Sequence, residues 1–391
     1  MGLWSRFGRR KGEEKDAPID TEEKARVAGL ALLLESEDVV ARGKAVRALG
    51  EIGEAAVLPL MKGLGDEDWC VRREAATALG RVGPAAIPHL IGTFPHADST
   101  MRQGAVQALR LLGNPAVEAL KEAAHHEDAA VRCGALEAFE VFPAGDAFIE
   151  ALDDDDPRVR RCAIAGIRRT CDGRGIARVA ALLRDPDEQV RVLAAGTLAA
   201  FGEAAVSPCI EALGDDDEGF QWRNATVLTR IGAPAIASLS TALRDERPTV
   251  RRWAARVLGE IQSEEAIAPL IEALADPDRE VRWHIGGALA NIGTSSVGPL
   301  VAALGGGDET ARHRVMEALW RVGETAVPAL INLTGADDAQ ARCRSALILG
   351  EIAVPGASEA LQPLLQDSDR DVRREAFEAL EAIRARGDLT R

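Results

Sequence analysis

Apolar residues recur along this chain in paired stripes. From Asp68 onward they stand at Val71, Ala75, Ala78, Leu79 and Val82, then at Ala86, Ile87, Leu90, Ile91 and Phe94. Each set falls on one side of a helix with about 3.6 residues per turn, so the stretch predicts two amphipathic helices. Gly83 and Pro84 separate them: glycine ends a helix where φ turns positive, and proline cannot continue one. Asp68 stands just ahead of the first stripe. A carboxylate there accepts hydrogen bonds from the free N–H groups of the first turn and favours the positive end of the helix dipole.

The same pattern returns twelve times. Aligned on the arginine of the Val-Arg pair, one column holds Arg42, Arg72, Arg102, Arg132, Arg160, Arg191, Gln221, Arg251, Arg282, Arg312, Arg342 and Arg373, at steps of 28 to 31 residues. Four residues earlier each copy has an aspartate, except the eighth, which has Arg247. A fixed period over nearly the whole chain predicts an all-α solenoid of about twelve helical hairpins, each burying its apolar face by stacking on its neighbours. No internal linker interrupts it, so residues 21–391 are expected to be a single array, preceded by a basic and polar leader over 1–20 that is expected to be flexible.

The motif Asp-x-x-Val-Arg-x-x-Ala-x-x-x-Leu-Gly resembles the second helix of a HEAT repeat, in the short form named after the phycobilin lyases. The resemblance covers about residues 22–386. It implies a right-handed α-α superhelix in which this second helix lines the concave surface, and a role as a binding scaffold more often than as an enzyme.

Composition narrows the partners. The formal net charge is -15, from 62 acidic and 47 basic residues, which disfavours wholesale binding to nucleic acid. The six cysteines form no Cys-x-x-Cys pair, so reduced thiols in a cytoplasmic protein are expected. By this reading no apolar run approaches the roughly 20 residues needed to cross a bilayer. In the leader, Leu3, Trp4 and Phe7 would share one face of a short helix beside Arg9, so the alternative to a flexible leader is a weak contact with an anionic membrane or a partner groove.

With the arginine column at zero and about 100° per residue, positions +1, +5 and +8 point away from the core, with +2 and +9 at the border. In repeats seven to ten these columns carry Trp222, Arg223, Arg252, Trp253, Arg256, Trp283, His284, His313, Arg314, Glu317, Trp320 and Arg321. Tryptophan with adjacent arginine on an outward face is the make-up of an interface hot spot, so a protein partner is expected there. The chemistry suits a segment bearing acidic or aromatic side chains. It also suits a planar acid such as a bilin, or nucleobases with phosphates.

The arginine column invites a nucleic-acid reading, but the matched aspartates argue for a structural ladder. The pairs Arg72 with Asp68, Arg132 with Asp128, Arg191 with Asp187, Arg282 with Asp278 and Arg373 with Asp369 are its expected rungs, each arginine pairing with an aspartate of its own or an adjacent turn. No catalytic residue, metal or cofactor is expected. The one His-Glu dipeptide, His126-Glu127, lies in a turn and does not supply the repeated His-Glu ligand set of the HEAT-like di-iron hydroxylases. A HEAT-like DNA glycosylase would need a basic face, which the acidic balance opposes. The resulting expectation is a non-catalytic scaffold gripping a protein in its concave face, centred on repeats seven to ten. The alternatives are a bilin-handling enzyme or a nucleic-acid binder, and the sequence sets no oligomeric state.

Overall fold

A computed structural model of the protein describes residues 21–96, 98–139, 145–306 and 308–389. The leader, with Leu3, Trp4, Phe7 and Arg9, lies outside the described residues. All regular structure among the described residues is helical. Contacts divide the chain into two compact parts, one ending at Asp172 and one beginning at Gly173.

The first part stacks the long helices Val39–Ile52, Trp69–Val82, Ser99–Leu112, Ala129–Phe139 and Pro157–Thr170 side by side in chain order. The second stacks Glu188–Phe201, Glu218–Ile231, Pro248–Ile261, Arg279–Ile292, Glu309–Val322, Ala339–Ile352 and Arg370–Leu389 in the same way. Between them run shorter helices, of which Ile87–Gly92 and Ile267–Ala273 are opened by a 3-10 turn and Asn114–Ala123 and Thr294–Ala303 are not. The core forms where the stripes predict it: Val71, Ala75, Ala78 and Leu79 are buried, as are Ala86, Ile87, Leu90 and Phe94, while Val82 and Ile91 are half-buried.

The aspartate column caps the long helices. Asp68 accepts from Cys70 and Val71 N–H, Asp128 from Ala130, Asp187 from Val190, Asp278 from Glu280 and Val281, and Asp369 from Asp371 and Val372. At Arg247 no side chain caps the helix, and Pro248 opens it instead, at a position where a missing N–H costs nothing.

The ladder exists, but its acid is not the capping column. Arg42 pairs with Asp66, Arg132 with Asp154, Arg251 with Asp276 and Arg342 with Asp367, each through both Nε and Nη2 at 2.6–3.0 Å. These aspartates stand two residues before the capping aspartate of the following repeat, and each also accepts that residue's N–H at 2.8–2.9 Å. Nη1 of the arginine turns the other way, into its own turn: Arg132 donates to His126 and Glu127 carbonyls, Arg251 to Asp245 and Glu246. Asp68, Asp128, Asp187, Asp278 and Asp369 are therefore corrected from ladder partners to caps, because their carboxylates are committed to the first turn. Arg72, Arg191, Arg282 and Arg373 keep the local half of the lock, each donating through Nη1 to two carbonyls of its own turn.

Stacking also explains the glycine of the Leu-Gly motif. A Cβ at Gly259 would lie 2.5 Å from Ala288 Cα, and one at Gly350 2.7 Å from Ala379 Cα, so the backbones of adjacent long helices meet at this column. At Gly259 and Gly350, position +8, read from the sequence as pointing away from the core, thus faces the next long helix, whereas Trp320 in the same column is 43% exposed. The segment Glu188–Ala212 is long and apolar enough by composition to cross a membrane, contrary to the sequence reading. It is two helices, broken at Gly202 with φ 57°, so its apolar length is that of two helices of a hairpin.

Candidate functional site

The outward residues of repeats seven to ten all lie in the part that begins at Gly173, on the long helices Glu218–Ile231, Pro248–Ile261, Arg279–Ile292 and Glu309–Val322. Trp222, Trp283 and Trp320 are 53%, 52% and 43% exposed, which leaves large apolar area in water. Trp222 and Trp283 share the +1 column. His313 and Glu317, at +1 and +5 of the tenth long helix, are exposed beside half-buried Arg314.

Trp253 departs from the expectation. It is 5% exposed, and its indole N–H donates to Gln221 Oε1 at 2.7 Å. The reason is geometric: +2 leans toward the preceding long helix, whose column-zero residue lies opposite. In this repeat pair that residue is Gln221, the one non-arginine in the column, which accepts the indole N–H and donates through Nε2 to the Asp215 carbonyl. The two exceptional residues of adjacent repeats thus answer each other. Their shared departure from the pattern was the available signal, and sequence reasoning passed over it.

The arginines are held in different ways. Arg252 Nη1 lies 3.0 Å from Glu280 Oε2 on the next long helix. Arg256 pairs with Glu260 at 3.0 Å, its guanidinium 4.9 Å from the Trp253 ring centre. Arg223 reaches Asp217 only at 3.8 Å. Arg321 folds back onto the preceding long helix: its guanidinium carbon is 3.4 Å above the Trp283 ring centre, and Nη1 donates to the Trp283 carbonyl at 2.5 Å. Burial lowers the pKa of Arg321, with Glu317 acting weakly against the shift. His284 is half-buried on the same helix as Trp283, and its pKa is lowered, first by burial and then by Arg252, Arg256 and Arg321. The neutral imidazole is therefore favoured in a field of positive charge.

Two shallow clefts lie elsewhere, along the turns beside the ladder. One of about 490 Å³ flanks Arg251 and Asp276, and one of about 330 Å³ flanks Arg132 and Asp154, with His125 and His126 in its wall. Among the described residues no group of three or more His, Cys, Asp or Glu side chains is arranged to hold a metal.

Comparison with known proteins agrees with the helical pattern. The family described as HEAT repeats matches residues 27–110, 145–229, 176–249, 236–320 and 297–381. An uncharacterized phycocyanin operon protein Z of Pseudanabaena tenuis is 30% identical over 139 residues, which is 33% of this chain and 68% of that relative. Among solved structures, an engineered protein is 24% identical with TM-score 0.26, covering 92% of this chain and 99% of its own. Kap121p is 13% identical with TM-score 0.40, covering 94% of this chain and 51% of its own. Importin beta is also 13% identical, with TM-score 0.37, covering 93% of this chain and 63% of its own. The chain thus spans only about half to two thirds of the length of Kap121p and importin beta. With the family match running over most of the chain, and twelve like hairpins among the described residues, this protein belongs to the HEAT-repeat family.

Proposed function

We propose that the protein is a non-catalytic scaffold that binds a protein partner along the long helices of repeats seven to ten, the surface that the HEAT resemblance makes the concave one. The observation that carries this reading is the exposure of Trp222, Trp283 and Trp320, each about half in water, with the Arg321 guanidinium laid flat on Trp283. Exposed indoles backed by arginine are where truncation costs most at protein interfaces. The experiment is affinity capture with mass spectrometry, comparing wild type with a Trp222→Ala, Trp283→Ala variant. Both indoles stand in water, so the variant is expected to keep its melting temperature and to lose partner affinity by about thirtyfold or more. Capture unchanged by the double substitution would refute the assignment.

One finding favours a second reading, the likeness to a protein named for a phycocyanin operon. Under it the same indole and guanidinium face holds a linear tetrapyrrole, whose carboxylates suit arginine and whose rings suit tryptophan. A shift in tetrapyrrole absorbance on mixing, abolished by Trp283→Ala, is the result that would support it.

A further inference from the structure

Arg321 is placed with more care than a solvated surface arginine needs. Its aliphatic stem crosses the long helix Arg279–Ile292 where two successive residues, Gly286 and Gly287, lack side chains. A Cβ at Gly286 would lie 2.9 Å from Arg321 Cδ, and one at Gly287 3.3 Å from Nη2. The glycine pair therefore clears the ground on which the side chain rests. One side of the guanidinium is then fixed by its bond to the Trp283 carbonyl and its face by the indole. Yet among the described residues no carboxylate lies within 4 Å of it, while Arg42, Arg132, Arg251 and Arg342 of the ladder, and Arg252 and Arg256 nearby, are ion-paired. A partly buried cation with no acid in contact, Glu317 acting on it only from beyond 4 Å, forgoes much of the interaction that usually offsets its desolvation. Two successive glycines inside a helix also carry an entropic cost of their own relative to alanine.

We infer that Arg321, fixed on Trp283 by the Gly286–Gly287 floor, is the seat for a carboxylate of an acidic segment of the protein partner. The inference rests on the partner-binding reading above and adds the chemistry of what is bound. A planar, pre-oriented guanidinium offers its remaining N–H groups to a carboxylate at little further entropic cost, and Trp283 supplies the apolar flank for the segment that carries it. Arg252 and Arg256 add positive charge nearby: after burial, they are the next causes of the lowered basicity of His284. Glu280, the acid opposite them, is held by Arg252.

The probe is a twelve-residue peptide alternating glutamate with phenylalanine, compared with its glutamine counterpart, titrated into the full chain. The glutamate peptide is expected to bind at least tenfold more tightly than the glutamine one. Arg321→Lys, and separately Gly286→Ala with Gly287→Ala, should each remove that tenfold preference without lowering the glutamine peptide's affinity. The His284 ring resonance gives a second readout: the glutamate peptide should raise its pKa, because an arriving anion favours the imidazolium, and the glutamine peptide should leave it in place. Equal binding of the two peptides overturns the carboxylate seat while leaving the partner face standing. A preference for glutamate that survives Arg321→Lys also overturns it. Loss of capture in the Trp222 and Trp283 variant tests the face separately, so failure of the two readings can be told apart.

Discussion

Arg251 shows what one residue of the repeat must do. Its Nη1 closes its own turn through two carbonyls, while Nε and Nη2 grip Asp276 of the next repeat at 2.6 and 3.0 Å, and both side chains are nearly buried. Removing one partner of such a pair leaves the other charge uncompensated, so Asp276→Ala should lower unfolding free energy by roughly 3–5 kcal/mol in a denaturant titration. A loss below about 1 kcal/mol would contradict the assignment of this pair as a buried lock. Asp367 supplies the pH signature. The Arg342 guanidinium and the Asp369 N–H hold its carboxyl well below the usual range, at about 2. Because the native pKa lies below the unfolded value of about 3.9, the charged form favours folding at neutral pH. That contribution is lost as pH falls from about 4 through about 2. Denaturation of wild type and Asp367→Asn should therefore differ at pH 7 and converge near pH 2. Trp253 belongs with the core: Trp253→Ala is expected to cost about 3–5 kcal/mol, unlike the exposed Trp222 and Trp283.

A long helix here has three faces to satisfy, and a wheel drawn for one helix sees only one of them. The inward stripe and the capping aspartates were legible because they follow from a period of about 3.6 and from the polarity of a helix end. The flanks were not. Column +2 meets the preceding helix, where Trp253 finds Gln221, and column +8 meets the following one, where Gly259 meets Ala288. What remains outward is narrower than the sequence implied, chiefly +1 and +5, and Trp222, Trp283, His313 and Glu317 occupy it. The acid two residues before some of the caps, as at Asp276 and Asp367, also escaped notice, because its partner is about 25 residues away in the chain and no local pattern links them. Two substitutions probe this scale. Asp278→Ala should cost about 1 kcal/mol, the loss of one N-cap, as read by thermal melting. Gly259→Val should cost more, since a side chain there forces backbone apart from backbone, and an equal melting temperature would show that the helices are not in contact at that point.

At the scale of the whole molecule, stability is a chain of neighbour terms. Damage should then stay local. Hydrogen exchange on Asp276→Ala is expected to speed up in the helices Pro248–Ile261 and Arg279–Ile292 and to leave Ala339–Ile352 at its wild-type rate. Uniform acceleration over all of them would mean a single cooperative unit. The period made this architecture readable without coordinates, and the family match over residues 27–110 and 145–381 agrees with it. The proposed partner face was only half readable, because exposure of a given tryptophan depends on what its neighbours leave uncovered.

The carbonyl clasp made by the column arginines has one more consequence. Since Arg72, Arg191 and Arg282 each fasten a turn from within, through atoms of a single copy, a copy carries most of its own fastening wherever it is spliced. Excising the stretch between two equivalent columns would join like ends to like ends, and lengthening or shortening the array by whole copies becomes a route open to evolution and to the bench alike.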